Sequence, residues 1–413
     1  MFSSKHNTTS LTDPLNHFRN ICQKAVTASL GRLHKSFNDL LVEIALLMLL
    51  LPQRVNFTQL AKYGKRSEKC YRDNFSRTVN WLSLNTALAS MRFNHGTRQA
   101  IAIDPSYISK SGVHTPGIGR FWSGCAGAVK HGLEILGIGL VDADENDCMM
   151  LRAVQTPSEQ SLKEAGVSLL SWYLTSVVNL KDQLRDLSQY IVADAYFSVR
   201  CFVDGLSDEG FHLISRLRDN ANLRYLYSGP RTAGRGRPKT YDGKIDVKKP
   251  RLDRMERVET SFLDGTCYTL VAYAVALKRN VRLVLYYPPK GACKIFFSTD
   301  SSLSAADIVD FYRCRFQIEF CFRDAKQNSG LCDCQARDLG RLDFHFNASL
   351  YTINAAKVFL LEHSLHFSIS GLKSLMYNSY IAHRIISLCG YRPHKSLNAQ
   401  IFKELFSIAA PAA

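Results

Sequence analysis

Apolar positions along the chain change their period near residue 98. Before this point, residues 15–51 carry apolar side chains at the three- and four-residue spacing of a helix that ends at Pro52. Beyond it, short apolar runs alternate with turn residues, a pattern typical of strands. The predicted elements of this second stretch are strands at 99–103, 134–141, 148–154 and 190–193 and a helix at 158–187. A helical region is therefore followed by an α/β domain.

Three strands, a helix and a strand form the order of a ribonuclease-H-like domain, which presents acidic residues at strand ends. We expect this α/β fold class, interrupted by a β-rich insertion in which glycine, proline and basic runs separate further strands. Regular helix returns after Ser304, a predicted N-cap, and continues to about residue 327. A second apolar helix is predicted at 344–361.

These patterns predict five regions. They are a helical N-terminal region at 1–97, the first part of the α/β domain at 98–210, the β-rich insertion at 211–300, the helices that complete the α/β domain at 301–365, and a C-terminal helical region at 366–413. No internal repeat is evident.

A basic helical hairpin is predicted within the N-terminal region. Residues 56–81 form two short amphipathic segments around a basic turn, and Ser67 stands where it can cap the second helix. Lys69, Arg72 and Arg77 would face outward from that helix. Such a hairpin suits contact with the DNA major groove, or it is a solvated surface hairpin.

Composition narrows the class of partner. Among 413 residues, 46% are hydrophobic and 21% are charged, as in an ordinary globular protein, while 52 Lys and Arg against 36 Asp and Glu give a net charge of +16. Such an excess favours a polyanion, either nucleic acid or an anionic membrane. The longest apolar run, residues 44–51, is too short to span a bilayer and predicts a core helix. The first twenty residues have no apolar core, so we expect no secretory signal.

The twelve cysteines are spread along the whole chain, which favours reduced thiols over a disulfide scaffold. Cys332 and Cys334 form a close pair, but a single intervening residue is a poor zinc-binding spacing. We therefore expect structural cysteines.

Two aspartates follow apolar strands. Asp104 is predicted to close the first strand, with Pro105 ending it, and Asp194 closes the strand at 190–193 in the same manner. Taken alone, an acidic residue at such a position is usually a turn or helix cap. A metal site of the kind that cleaves phosphodiesters needs carboxylates brought together from different elements, because two Mg²⁺ ions prefer oxygen ligands.

The helix after Ser304 supplies a third carboxylate. Tyr312, Arg315, Glu319 and Lys326 are spaced by three, four and seven residues, so a continuous helix would present them on one face. The alternative is a solvated stripe of paired charges. The phenylalanines that interrupt it leave little room for a purely polar exterior.

The pattern Tyr-x2-Arg-x3-Glu-x6-Lys at these four residues resembles the signature of DDE transposases from the insertion-sequence family numbered four. The resemblance extends to residues 103–106 around the first aspartate, to residues 194–197 around the second, and to the long β-rich interval before the glutamate. It spans residues 98 to about 360. The hairpin is less diagnostic, and residues after 365 match nothing recognisable.

The resemblance implies a mechanism and partners. Asp104, Asp194 and Glu319 would be catalytic and would ligate two Mg²⁺ ions, with Mn²⁺ as a substitute, while Tyr312, Arg315 and Lys326 would bind DNA. The protein would cleave double-stranded DNA at transposon ends and join these ends to target DNA. Synapsis would require a homodimer, and the site of action would be the bacterial cytoplasm, at the nucleoid. Two alternatives remain, a catalytically inactive DNA-binding derivative and a non-transposing metal-dependent nuclease.

Two loops predict further DNA contacts. Residues 234–239 contain Arg235, Arg237 and Lys239 in an Arg-Gly-Arg-Pro context that resembles an AT-hook, or that touches phosphates as a flexible basic loop.

The glycine-rich stretch after Asp104 predicts a mobile loop over the site, with Lys110 and Arg120 near DNA. Trp122 would stack on a flipped base, as in some relatives, or would be a core residue.

Overall fold

A twelve-stranded mixed sheet runs through the part of the chain that the computed structural model describes, which comprises residues 13–29, 34–94, 96–230, 238–259, 264–363, 365, 368–390, 404 and 408. Its strands are β1 (Gln99–Ser109), β2 (Gly119–Ser123), β3 (Ala128–Asp142), β4 (Asp147–Gln155), β5 (Tyr190–Val192), β6 (His212–Leu217), β7 (Leu223–Leu226), β8 (Tyr241–Lys244), β9 (Glu256–Val258), β10 (Thr266–Ala274), β11 (Arg279–Tyr287) and β12 (Lys294–Ser298). Their order is β2-β3-β1-β5-β6-β12-β11-β10-β7-β8, with β4 beside β3 and β9 beside β10. β5 is parallel to β1 and to β6, and the other pairs are antiparallel.

Helices pack around this sheet. They are α1 (Pro14–Ala28), α2 (Lys35–Leu50), α3 (Phe57–Tyr63), α4 (Glu68–Asn74), α5 (Trp81–Arg92), α6 (Glu159–Glu164), α7 (Leu169–Val178), α8 (Lys181–Arg185), α9 (Arg200–Asp208), α10 (Ala305–Cys314), α11 (Gln317–Asn328), α12 (Leu339–Glu362) and α13 (Ile369–Leu388). The predicted mixed α/β architecture is confirmed. Within the described ranges, every helix is too short or too polar to serve as a bilayer span.

The β-rich stretch at 211–300 is hydrogen-bonded into the main sheet. β6 lies parallel to β5, and β12 returns antiparallel to β6, with Ile295 opposite Leu217. The strands of this stretch therefore extend the sheet edge. The five region boundaries stay predictions.

The helical N-terminal residues differ in one respect from their prediction. The single helix expected at 15–51 is two helices, α1 and α2, both largely buried. The predicted hairpin is present as α3 and α4, where the Ser67 hydroxyl accepts a hydrogen bond from the Cys70 backbone at 3.3 Å. Its basic turn is tied to α2, because Glu43 pairs with Arg66 and accepts from the Tyr71 hydroxyl at 2.8 Å.

The helix predicted at 158–187 is three short helices, α6 to α8. Gly166 follows α6 with φ +66°, a left-handed conformation that interrupts a helix and favours glycine. A new helix then begins at Ser168, whose hydroxyl accepts from the Ser171 backbone at 3.1 Å. Local capping therefore overrides the apolar spacing that runs through this stretch.

Buried asparagines satisfy the free edge of β4. Asn354 on α12 accepts from the Met150 N–H at 3.0 Å and donates to the Met150 carbonyl at 2.7 Å. Asn347, two helical turns earlier, does the same for Ala153, at 2.8 and 3.1 Å. Side-chain amides thus take the place of a neighbouring strand, which leaves no exposed ladder at this edge. This is why polar residues interrupt an otherwise apolar helix.

An arginine clamp joins the first strand to the helix before Glu319. Arg98, directly before β1, donates to Asp307 at 2.7 Å and to Asp310 at 3.0 Å, both on α10. The same guanidinium contacts Asp144 in the turn between β3 and β4 at 2.9 Å. The position of α10 against the sheet is fixed by these charge-assisted hydrogen bonds.

We expect Asn354→Ala to destabilise the protein by about 2 to 4 kcal/mol, because the Met150 amide and carbonyl lose their partner in a dry environment. Unfolding in urea, followed by circular dichroism, measures this change. Asn20→Ala on α1 is the matched control, since Asn20 is exposed and also lies inside a helix. A similar midpoint for both variants would contradict the role assigned to Asn354.

Candidate active site

Asp104 and Asp194 lie side by side on neighbouring parallel strands. The register pairs Ala102 of β1 with Val192 of β5, and each aspartate stands two residues further along its own strand direction. Side chains two residues apart project from the same face of a strand, and adjacent strands are about 4.8 Å apart. The two carboxylates therefore emerge at the same level.

The sequence predicted that β1 ends at Asp104, but the strand is longer than predicted. The strand continues through Pro105 to Ser109, and Asp104 is paired with Gly137 of β3 in an unbroken register. Proline is tolerated here because the pairing with β5 involves only Ile101 and Ala102, so the later part of β1 has a ladder on one side. Asp194, in contrast, does follow its strand, and its carboxylate accepts from the Tyr196 N–H at 2.9 Å.

The helix that carries the third carboxylate is broken at Arg315. α10 ends at Cys314 and α11 begins at Gln317, so the predicted continuous helix is wrong at this point. Short-range hydrogen bonds, such as Ile318 N–H to the Arg315 carbonyl at 3.1 Å, carry the chain across the break. Glu319 therefore lies in the first turn of α11, where a negative charge is favourable.

Arg315 lies between two of the carboxylates. Its guanidinium donates to Asp104 at 3.0 Å and stands 3.6 Å from Glu319, while its own side chain is only 6% exposed. The Glu319 side chain is half exposed. The Arg315 Nε is buried and has no hydrogen-bond partner among the described residues. One donor of a buried cation is thus available to a further acceptor.

Lys326 and Tyr312 flank this arrangement. Lys326 Nζ donates to the Ser106 hydroxyl at 2.9 Å, two residues beyond Asp104 on the same face of β1. Tyr312 is buried against Phe296, with ring centroids 4.9 Å apart, so it is less accessible than a surface DNA contact would be. Arg315 and Lys326 therefore contact β1 and Glu319 lies beside Arg315, whereas Tyr312 packs against β12.

Burial raises the pKa of Asp104 to about 7. The Arg315 guanidinium opposes this shift, whereas the negative charges of Glu319 and Asp194 add to it. Glu319 and Asp194 are therefore each close enough to Asp104 to repel its carboxylate. Burial also lowers the pKa of Lys326, and Asp104 counteracts that lowering.

The donor set suits a divalent metal in its chemistry. Its atoms are carboxylate oxygens, which Mg²⁺ and Mn²⁺ prefer, and the negative charge around Asp104 is only partly balanced by Arg315. Across the described residues, no group of three or more His, Cys, Asp or Glu side chains is arranged so that it could hold a metal ion. The Asp104 carboxylate is instead paired with Arg315 at 3.0 Å.

The three predicted DNA-binding residues of the glycine-rich stretch after Asp104 differ from one another in exposure. Lys110 hydrogen-bonds to the backbone carbonyls of Cys334 and Ala336, so it is anchored. Arg120 and Trp122 lie on β2, and both are exposed. The Trp122 side chain is 60% exposed, so the core alternative for this residue is wrong. An exposed indole is what base stacking needs, although stacking itself stays a prediction.

The described residues include part of the basic loop at 234–239. Arg235 and Arg237 lie outside the described residues. Lys239 is paired with Asp242 at 3.0 Å and stands 4.9 Å from the Tyr227 ring centre.

The sequence did not single out the aromatic flank of Glu319. Phe316 and Phe320 are exposed, at 47% and 42%, and the guanidiniums of Arg315 and Arg323 stand 4.6 Å from their ring centres. Their four-residue spacing, with Glu319 between them, was the available signal. The positive charge of Arg216 on β6 acts on Tyr312, where it opposes the burial that raises the pKa of this phenol.

Two family models match the chain. The model described as DDE superfamily endonuclease matches residues 33–262, which include Asp104 and Asp194. The model described as Transposase DDE domain matches residues 174–354, which include Asp194 and Glu319. No curated protein sequence matches the chain.

We expect the metal-free protein to lose stability as the pH rises from about 4 to 7, because Asp104 releases its proton near pH 7 when folded and near 3.8 when unfolded. At a pH below both pKa values the carboxyl is protonated in both states, and its burial does not destabilise the folded protein. At a pH above both, the folded protein is destabilised because a charged carboxylate is buried. Asp104→Asn should not show this loss. Relative to the wild type, its free energy of unfolding should therefore rise by about 2 kcal/mol from pH 5 to pH 8.

Urea unfolding of the wild type and of Asp104→Asn in EDTA, at pH 5 and at pH 8, measures this difference. Asp182→Asn, at an exposed aspartate, is the control for the substitution itself. Parallel pH dependences of the wild type and Asp104→Asn would show that Asp104 titrates normally.

Proposed function

Because the chain belongs to the DDE superfamily of endonucleases, we propose that it is a transposase that moves an insertion sequence by cut-and-paste. A transposase-type function follows from both family matches. The finer assignment, to the insertion-sequence family numbered four, rests on the Tyr-x2-Arg-x3-Glu-x6-Lys pattern.

One observation carries the proposal. The Arg315 guanidinium contacts Asp104 of β1 and Glu319 of α11, and Asp194 of β5 acts electrostatically on the same Asp104. Two carboxylates on neighbouring parallel strands and a third on α11, all far apart in sequence, are thus brought into one neighbourhood around Arg315. An enzyme that holds divalent cations against a phosphodiester needs this convergence.

Asp104, Asp194 and Glu319 would hold two Mg²⁺ ions, for which Mn²⁺ could substitute. Such ions, when bound, would activate the attacking water or 3′-hydroxyl and stabilise the charge on the phosphoryl group and the leaving oxygen. Arg315 and Lys326 would neutralise the DNA phosphates beside the carboxylates, since the Arg315 Nε is free to donate. Tyr312 would support Arg315 from beneath, because its ring centre lies 5.7 Å from the guanidinium carbon.

The partner would be double-stranded DNA, first the transposon ends and then the target. Arg120 and Trp122 on β2 would reach it, as would Lys239 and the neighbouring Arg235 and Arg237. Residues 1–97 would add the hairpin contact, because Lys69, Arg72 and Arg77 are all exposed. A homodimer would bring two ends together, in the bacterial cytoplasm at the nucleoid.

We expect Glu319→Gln to reduce cleavage at least about 100-fold, because an uncharged amide is a much weaker ligand for Mg²⁺. DNA binding should persist, since the cations remain. Duplexes that contain the DNA flanking the gene, incubated with Mg²⁺ and separated on a denaturing gel, provide the measurement. Glu164→Gln, at an exposed glutamate of α6, is the matched control. Equal cleavage by wild type and Glu319→Gln would refute the proposal.

A supercoiled target plasmid in the same reaction distinguishes the two enzymatic alternatives. A transposase gives molecules in which the freed 3′-ends are joined to the plasmid. Cleavage without joined product would instead identify a metal-dependent nuclease.

A further inference from the structure

A polar cavity of about 640 Å³ opens beside the end of β1. Its walls come from three separate segments, which contribute Arg54 after α2, Lys110 directly after β1, and Arg337 before α12. Hydroxyl groups of Ser109, Ser111 and Thr115 line the same space. We refer to it as the basic cavity.

The three cations of the basic cavity have no carboxylate partner among the described residues. Lys110 gives two of its three donors to the carbonyls of Cys334 and Ala336, which leaves one N–H for a ligand. Burial lowers the pKa of Lys110, and the positive charge of Arg337 lowers it further, so the two cations face each other. Like charges gathered without neutralisation attract an anion.

Among the described residues that line this cavity, the one acidic side chain is already engaged. Asp333 accepts a hydrogen bond from the Val55 N–H at 2.8 Å. This contact holds Arg54, the residue before Val55, next to the segment that carries Arg337. The hydrogen bond that keeps Arg54 near Arg337 thus also engages the Asp333 carboxylate.

The basic cavity lies further along β1 than the candidate active site. Asp104, Ser106 and Ile108 alternate onto one face of β1, in a register with β3 that is unbroken to Ser109, and Lys110 follows directly. Lys326 bonds to Ser106 and is influenced by both Asp104 and Cys332, and Cys332 also lines the cavity. A row of cations therefore leads along β1 from Arg315 through Lys326 to Lys110.

We propose that the basic cavity binds a backbone phosphate of the substrate DNA, on the strand path that leads away from the reacting phosphodiester. This rests on the proposed function. Six residues of strand separate Asp104 from Lys110, or about 20 Å. At about 3.4 Å per nucleotide, the cavity would hold a phosphate about six nucleotides from the cleaved bond. Such a contact is independent of base sequence.

The test measures the salt dependence of binding to a random-sequence 30-base-pair duplex. The double variant Arg54→Gln, Arg337→Gln should bind at least about tenfold more weakly and should lower the slope of log K against log salt by about 1, because one phosphate contact is lost. Both side chains are exposed, so the variant should fold normally. The control pair Lys163→Gln, Arg185→Gln removes two exposed cations that are already paired with Glu159 and Asp182. An unchanged slope in the first pair would overturn the proposal.

Pyrophosphate provides a second measurement on the full chain. It should raise the thermal midpoint of the wild type and of the control pair, but not that of the Arg54, Arg337 double variant. Stabilisation of all three proteins would place the anion elsewhere. Stabilisation limited to the wild type and control, with unchanged DNA slopes, would assign the cavity to a free phosphate compound and overturn the DNA assignment.

Failure of this inference is distinct from failure of the proposed function. Glu319→Gln leaves the basic cavity intact and should bind DNA with the wild-type slope while losing cleavage. If the wild type cleaves DNA but its salt slope equals that of the double variant, only the cavity contact is contradicted. If the double variant has a reduced slope but the wild type does not cleave, only the enzymatic function is contradicted.

Discussion

The buried Arg315 guanidinium is the interaction on which the candidate active site depends. Asp104, Asp194 and Glu319 could not stand close together in a partly buried place without a positive charge among them. Arg315 supplies that charge through its contacts with Asp104 and Glu319. It reaches them because the chain breaks between α10 and α11, which turns its side chain inward toward β1. Arg315 balances only part of the negative charge, as the raised pKa of Asp104 indicates.

The surrounding fold holds that arrangement in place from two sides. Arg98 fixes α10 to the start of β1, so the segment that ends in Arg315 cannot slide along the sheet. On the opposite side, α12 satisfies the edge of β4 through Asn347 and Asn354, and its Lys357 pairs with Asp147 at 2.7 Å. α11 packs between these elements, with Ile318 and Cys321 fully buried. Polar groups in the interior thus fix the register of helices whose apolar surfaces alone would permit several positions.

The sequence was sufficient for what depends on local pattern and spacing. The alternation of apolar residues predicted most strands. The spacing of Tyr312, Arg315, Glu319 and Lys326 selected three residues near Asp104 and a tyrosine that packs beside Arg315. It was insufficient where a neighbour decides the outcome. The continuation of β1 through Pro105 depends on how far β5 extends, and the break after Cys314 accompanies a contact between Arg315 and Asp104 that no local pattern encodes. The exposure of Trp122 depends on the packing of β2. Arg54 and Arg337 are isolated in sequence, so no local pattern relates them to Lys110.

The charges along β1 differ between the candidate active site at Asp104 and the basic cavity at Lys110. At the level of Asp104, cations and carboxylates are interleaved, so a DNA phosphate meets a site of mixed charge in which the carboxylates compete with it for Arg315. At the level of Lys110, the cations have no such partners and attract a phosphate directly. A strand held in the basic cavity would therefore be positioned before Arg315 exchanges Asp104 for a phosphate oxygen. Because Arg54 belongs to the helical N-terminal part and Lys110 to the sheet, one bound phosphate would also join these two parts of the chain, which Asp333 already links through Val55.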